Sequence, residues 1–141
     1  MNTRTFALVW GILFLVIFAS GVVPGMLQPP GMTDPPMQMD SMYGRALGLF
    51  PVNLLHDGVH LIFGVWGILA YRSFDAAKTF ARVTAVVYAL FTVMGLVPGM
   101  DTTFGLVPLF SHDVWLHAIL AAGAAYFGFV HRDTRTEARD R

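Results

Sequence analysis

The sequence predicts an all-α fold: a four-span transmembrane helical bundle made of two repeated two-helix units. Four apolar runs, at residues 6–26, 54–71, 83–100 and 114–130, each approach the roughly 20 helical residues that cross about 30 Å of hydrocarbon. Eight of the nine Lys and Arg residues lie at the N-terminus (Arg4), in the middle (Arg72, Lys78, Arg82) and in the tail (Arg132, Arg135, Arg139, Arg141), while Arg45 is the exception. A positive-inside distribution of this kind places both termini in the cytoplasm. Finally, Gly21-Val22-Val23-Pro24-Gly25-Met26 at the end of the first run recurs as Gly95-Leu96-Val97-Pro98-Gly99-Met100 at the end of the third.

The first run follows Arg4 and passes through Ala19-Ser20-Gly21, the outline of a cleavable signal peptide. It stays apolar to Met26 and its ending is repeated, so it reads as a retained helix. Pro24 and Gly25 stop that helix. Residues 27–50, rich in Met, Pro, Gly and Asp, form an outer cap rather than a span. In the cytoplasmic link Ser73 caps a helix with Asp75 in its first turn, and Lys78 and Arg82 lead into the third span.

The second half repeats the plan. Gly48-Leu49-Phe50-Pro51 corresponds to Gly105-Leu106-Val107-Pro108, which aligns Asn53 with Phe110, His56 with Asp113, His60 with His117, Gly64 with Ala121 and Gly67 with Ala124. Two helices per unit return the chain to the same side, so the units are expected to share a topology about an axis along the membrane normal. The spans occupy most of the 141 residues, and one integral membrane domain, residues 1–141, is expected.

Composition narrows the function. Net charge is zero and the basic residues are confined to one face, which reads as orientation in a lipid bilayer and not as nucleic-acid binding. There is no Cys, so any metal site must use His, Asp, Met or backbone oxygen. A homo-oligomer or a place in a larger membrane complex suits the apolar, Phe-rich first span.

Asn53, His56, His60, Gly64 and Gly67 are spaced by 3, 4, 4 and 3 and therefore share a helix face. Asp113, His117, Ala121 and Ala124 do the same in the fourth span. Polar groups facing lipid cost several kcal/mol by rough estimate, so both faces are expected to point at protein. The small residues are expected to bring the second and fourth helices together, with the polar residues converging just inside the outer surface.

The segment Val52-Asn53-Leu54-Leu55-His56-Asp57-Gly58-Val59-His60, followed by Gly64, resembles a family of small four-helix bacterial membrane proteins grouped as a domain of unknown function. Ala81-Arg82-Val83, Val86-Val87-Tyr88, Gly105-Leu106-Val107-Pro108 and Asp113-Val114-Trp115-Leu116-His117 extend the resemblance over residues 46–126. It departs at Phe110, where members often have Asn, and in its long Met-Pro loop. The resemblance implies the fold and a bacterial inner-membrane location, and carries no activity.

Two accounts of the stripe follow from the residues. The plainer one makes His56, His60, Asp113, His117 and Asn53 interhelical hydrogen-bonding groups in a structural or accessory membrane component. The sharper one makes His56, His60, Asp113 and His117 the ligands of a metal, zinc or copper, with Met26, Met32, Met37, Met39, Met42 and Met100 on the same side as soft thioethers that favour Cu(I). The plain reading of those methionines is that they cover helix ends. Haem held by His60 and His117 is a third alternative, disfavoured by the small residues beneath. Ser111-His112-Asp113 is not a triad, because neighbours on a helix point different ways, and no catalytic residue is assigned.

Overall fold

The computed structural model describes residues 1–133. It is mostly helical: α1 (Thr3–Val22), α2 (Leu54–Ala70), α3 (Phe74–Leu96) and α4 (His112–Ala125), the last continued by a π-helical turn, Tyr126–Val130. Three segments, Thr3–Val22, Phe74–Leu96 and His112–Val130, are long and apolar enough to cross a membrane. The fourth, α2, has 17 residues, the lower limit for a span. Basic residues 135, 139 and 141 of the tail lie outside the described residues.

Three of the four α-helices, α1, α2 and α3, start where a side chain satisfies one of the first amides. Asn2, Asn53 and Ser73 accept from the N–H groups of Thr5, His56 and Ala76. The cap at Ser73 begins α3 well before residue 83, so the cytoplasmic link and third span expected from sequence are one continuous helix. Ser111 precedes α4 at φ +63° and makes no side-chain cap. The position aligned with Asn53 is Phe110, which cannot supply one.

Both Val-Pro-Gly-Met segments turn the chain the same way. Met26 N–H donates to the Val23 carbonyl at 3.1 Å and Met100 N–H to Val97 at 3.0 Å. Gly25 and Gly99 sit at φ +88° and +85°, the left-handed third position of a type II turn.

The cap formed by residues 27–50 is ordered around a small antiparallel sheet absent from the all-α expectation. Strands β1 (Leu27–Gln28), β2 (Gly44–Ala46) and β3 (Phe50–Val52) pair in the order β1-β2-β3. Arg45 and Asp34 form a paired-donor ion pair beside it, with Arg45 Nε 2.8 Å from Asp34 Oδ2. That hydrogen bond holds the Asp34 carboxyl below its usual range. A depressed carboxyl contributes stability above its unfolded pKa and loses it as pH falls through the folded value. Amides of residues 28 and 45 should therefore lose protection, relative to their intrinsic exchange rates, below about pH 4, and Asp34→Asn should remove that pH dependence.

Helix α1 packs along α2 and α3 along α4. The expected seam between the second and fourth helices does not form: Gly64 and Gly67 face α1 instead. A Cβ on Gly67 would meet the Ala7 carbonyl oxygen and the Gly11 Cα, each at 2.8 Å, and one on Gly11 would meet the Ile68 amide at 2.7 Å. The reason is steric, because Gly11 on α1 supplies the matching bare backbone whereas α4 offers alanines. Phe6, Phe14, Phe63, Phe80, Tyr88 and Leu120 fill the space among the four helices.

Thr3 and Asp133 meet at the bundle end opposite the sheet. Thr3 N–H donates to Asp133, Arg4 to the Tyr71 carbonyl, and Lys78 to the Phe127 and His131 carbonyls. These cations supply donors to carbonyls that helix ends leave free.

Candidate metal centre

The candidate site lies beneath the sheet, where the first turns of α2 and α4 come level. Asn53 sets its height. Its side-chain oxygen accepts from His56 N–H at 3.0 Å, while its amide nitrogen donates to the carbonyls of Met39 at 3.0 Å and Leu106 at 2.7 Å. One buried side chain thus ties α2 to both connections at this end. Asn53→Ala should cost about 2–4 kcal/mol, from three bonds, the cap among them, at roughly 1 kcal/mol each, and Asn53→Asp nearly as much because a carboxylate would face two carbonyl oxygens. Thermal unfolding in mild detergent measures both.

His56 and His60 are one helical turn apart on α2, with ring centroids 4.7 Å apart. His117 on α4 approaches both, at 5.6 Å from His56 and 6.4 Å from His60. All three rings are buried, and one nitrogen from each lies within 4.8 Å of the others. Asp113 sits one turn before His117, its Oδ2 3.3 Å from His117 Nδ1 and 3.8 Å from His56 Nε2. The helix backbones leave a gap that long imidazole side chains bridge, so the four residues singled out in the sequence converge although their helices do not share a seam.

Among the described residues, none of the six ring nitrogens makes a hydrogen bond, nor does Asp113 Oδ2; the Asp113–His117 approach is near but misaligned. The Pro51 and Pro108 carbonyls are directed at His56, yet neither completes a bond of good geometry with its ring. Leaving buried polar groups unpaired costs about 1–3 kcal/mol each, so a packed site that orphans so many suits a ligand rather than a structural network.

The walls are aromatic, a feature that the polar stripe did not reveal. Phe14 of α1 stacks on His60 at 5.9 Å, Tyr88 of α3 meets His117 edge-on at 5.1 Å, and Phe91 lies 5.6 Å from His117. Tyr88 is fully buried and its hydroxyl has no partner. Asp57, adjacent to His56, turns the other way: it is buried against Gly21 of α1 with both oxygens unpaired. His112 is exposed, within 3.3 Å of the Ser111 hydroxyl, while Asp113 points inward, so the three consecutive residues do not form a relay.

The arrangement offers three neutral nitrogen donors and one carboxylate in a dry aromatic enclosure. Zinc–nitrogen bonds of about 2.0–2.1 Å put tetrahedral donors roughly 3.3 Å apart, so a bound ion would draw the three nitrogens, within 4.8 Å of one another here, closer together. A porphyrin plane between His60 and His117 would displace Phe14, Tyr88 and Phe91.

Residues 4–130 match the family described as Domain of unknown function (DUF4383), in agreement with the resemblance read from the sequence, and the chain belongs to that family. No curated protein and no solved structure matches it.

Proposed function

We propose that this member of the DUF4383 family is a four-span protein of the bacterial inner membrane that binds a transition-metal ion, zinc or copper, near the outer end of its bundle. His56, His60 and His117 are the nitrogen ligands and Asp113 the carboxylate. One observation carries the reading: three buried imidazoles converge with every ring nitrogen unpaired. The alternative of interhelical hydrogen bonding requires those nitrogens to be paired. No catalytic role is assigned to the site.

The orientation rests on the basic residues. Arg4, Arg72, Lys78, Arg82 and Arg132 gather at the end where Thr3 meets Asp133, and Arg45 lies at the sheet end. A cysteine at Ser41 should react with an impermeant maleimide in intact cells and one at Thr79 should not; labelling of Thr79 alone would reverse the topology. A duplicated two-helix unit is supported by Gly25 and Gly99, and by Gly48 and Gly105 at φ +73° and +85°, whose backbones match at aligned positions.

Metal analysis of protein purified in mild detergent, without added chelator, tests the function. The expected result is about one zinc or copper per chain. Failure to retain or take up either ion would remove the proposal.

A further inference from the structure

Given the metal-binding reading, the charge inside the site and the loop above it bear on which ion is bound. Three imidazoles are neutral ligands, so Asp113 supplies the only formal charge in the four-residue set. A divalent ion held there leaves a net charge of +1 among Phe14, Tyr88 and Phe91, where uncompensated charge is expensive. A monovalent ion leaves none. Asp57, the other buried carboxyl of α2, lies against Gly21 on the α1 side and is not part of the ligand set. Among ions suited to imidazole, Cu(I) is the monovalent one.

The second observation is the chain that crosses the site. Leu54 N–H donates to the Ser41 carbonyl at 3.0 Å and Asn53 to the Met39 carbonyl at 3.0 Å, so residues 39–41 lie over the first turn of α2, which includes His56. Met39 and Met42 therefore bracket a segment tied directly above the first ligand. Met42 is exposed and Met39 half-buried. Met26, Met32 and Met100 at the same end are exposed too, which does not fit the reading that methionines there only cover helix ends. Thioethers bind Cu(I) well and divalent zinc poorly. His56, His60 and His117 are all buried, and this loop lies on the outer side of them with its methionines exposed or half-buried.

We infer that the ion is Cu(I), received by the thioethers of Met39 and Met42 and passed to His56, His60 and His117. No electron changes hands, since the ion arrives and stays monovalent.

The test uses full-length protein in detergent. Cu(I) is supplied anaerobically as its acetonitrile complex against a chromophoric Cu(I) chelator, and Cu(II) and Zn(II) are titrated separately. Cu(I) should bind one per chain, at least tenfold more tightly than Cu(II), and remain EPR-silent. Cu(II) is the decisive comparison, because Cu(II) outcompetes Zn(II) at most nitrogen sites, so a preference for copper over zinc would not by itself report the charge of the ion. Equal or tighter Cu(II) binding, or uptake of zinc alone, overturns the inference and leaves the metal-binding reading intact. Binding of no ion overturns both. The Met39→Leu/Met42→Leu double variant conserves volume and should fold. Its Cu(I) uptake should slow at least tenfold with unchanged final occupancy; an unchanged rate overturns the role given to the thioethers. Should that variant unfold, Met42→Leu alone, at the exposed position, should slow uptake at least threefold, and an unchanged rate there has the same consequence.

Discussion

Alanine at His60 or at His117 should abolish metal binding, with affinity falling at least ~100-fold, while His112→Ala and His131→Ala leave it within about twofold. The first two rings converge with His56, whereas His112 is exposed and His131 lies at the opposite end against Asp133, 3.1 Å away. Stability separates a ligand from a structural residue. In metal-free protein, His60→Leu should be neutral or stabilising by roughly 1–3 kcal/mol, because it replaces a buried ring with two unpaired nitrogens by an apolar group of similar size. Added metal at 100 times its Kd should stabilise wild type by about 2.7 kcal/mol and the variant not at all. If His60→Leu instead destabilises the metal-free protein and metal changes neither protein, the histidines are structural.

The second large effect belongs to the α1–α2 seam. Gly11→Leu should cost about 3 kcal/mol or more, the upper end of overpacking penalties, because even its Cβ would meet the Ile68 amide and the Gly64 carbonyl. These neighbours are backbone and cannot rotate away. Gly67→Leu should cost a similar amount. Gly58→Ala is the contrast: nothing lies within 4 Å of the added methyl, so the change should be neutral or stabilising by up to about 1 kcal/mol through backbone entropy. Thermal unfolding of the three variants in one detergent ranks them. A Gly11→Leu protein that melts like wild type would show that the helices do not approach this closely.

Because that seam holds α2 against α1, its loss should also spread the histidines. His60 stacks on Phe14 only three residues beyond Gly11, so a displaced α1 removes one wall of the site. Gly11→Leu should therefore weaken metal binding without altering a ligand.

The elements were legible where local chemistry determines them. Ser73 is a side chain favoured at a helix start and it caps α3 as expected, and the two Val-Pro-Gly-Met segments contain the proline and glycine that a type II turn requires. Helical spacing alone put His56 and His60 on one face, and Asp113 and His117 on another. The sheet in the cap was not legible. Its strands are two or three residues long, and β3 contains Pro51, so no alternation is long enough to read.

Partner choice was beyond the pattern. A stripe of small residues states that some helix can come close but not which one, and Gly64 and Gly67 are occupied by α1 because Gly11 completes a contact of backbone on backbone. The same face of α2 then serves two neighbours: its glycines meet α1, and its histidines reach across to α4. Sequence by itself determined the helices, their caps and turns, and the four polar residues, since each depends on groups a few positions apart along the chain. Tertiary structure alone decided that α2 and α4 stand apart, that Phe14, Tyr88 and Phe91 enclose the rings, and that His56, His60 and His117 find no hydrogen bond for their rings among the described residues. Those outcomes depend on how side chains from separate helices divide a shared interior, and volume and hydrogen-bond satisfaction are properties of the assembled bundle, not of any segment.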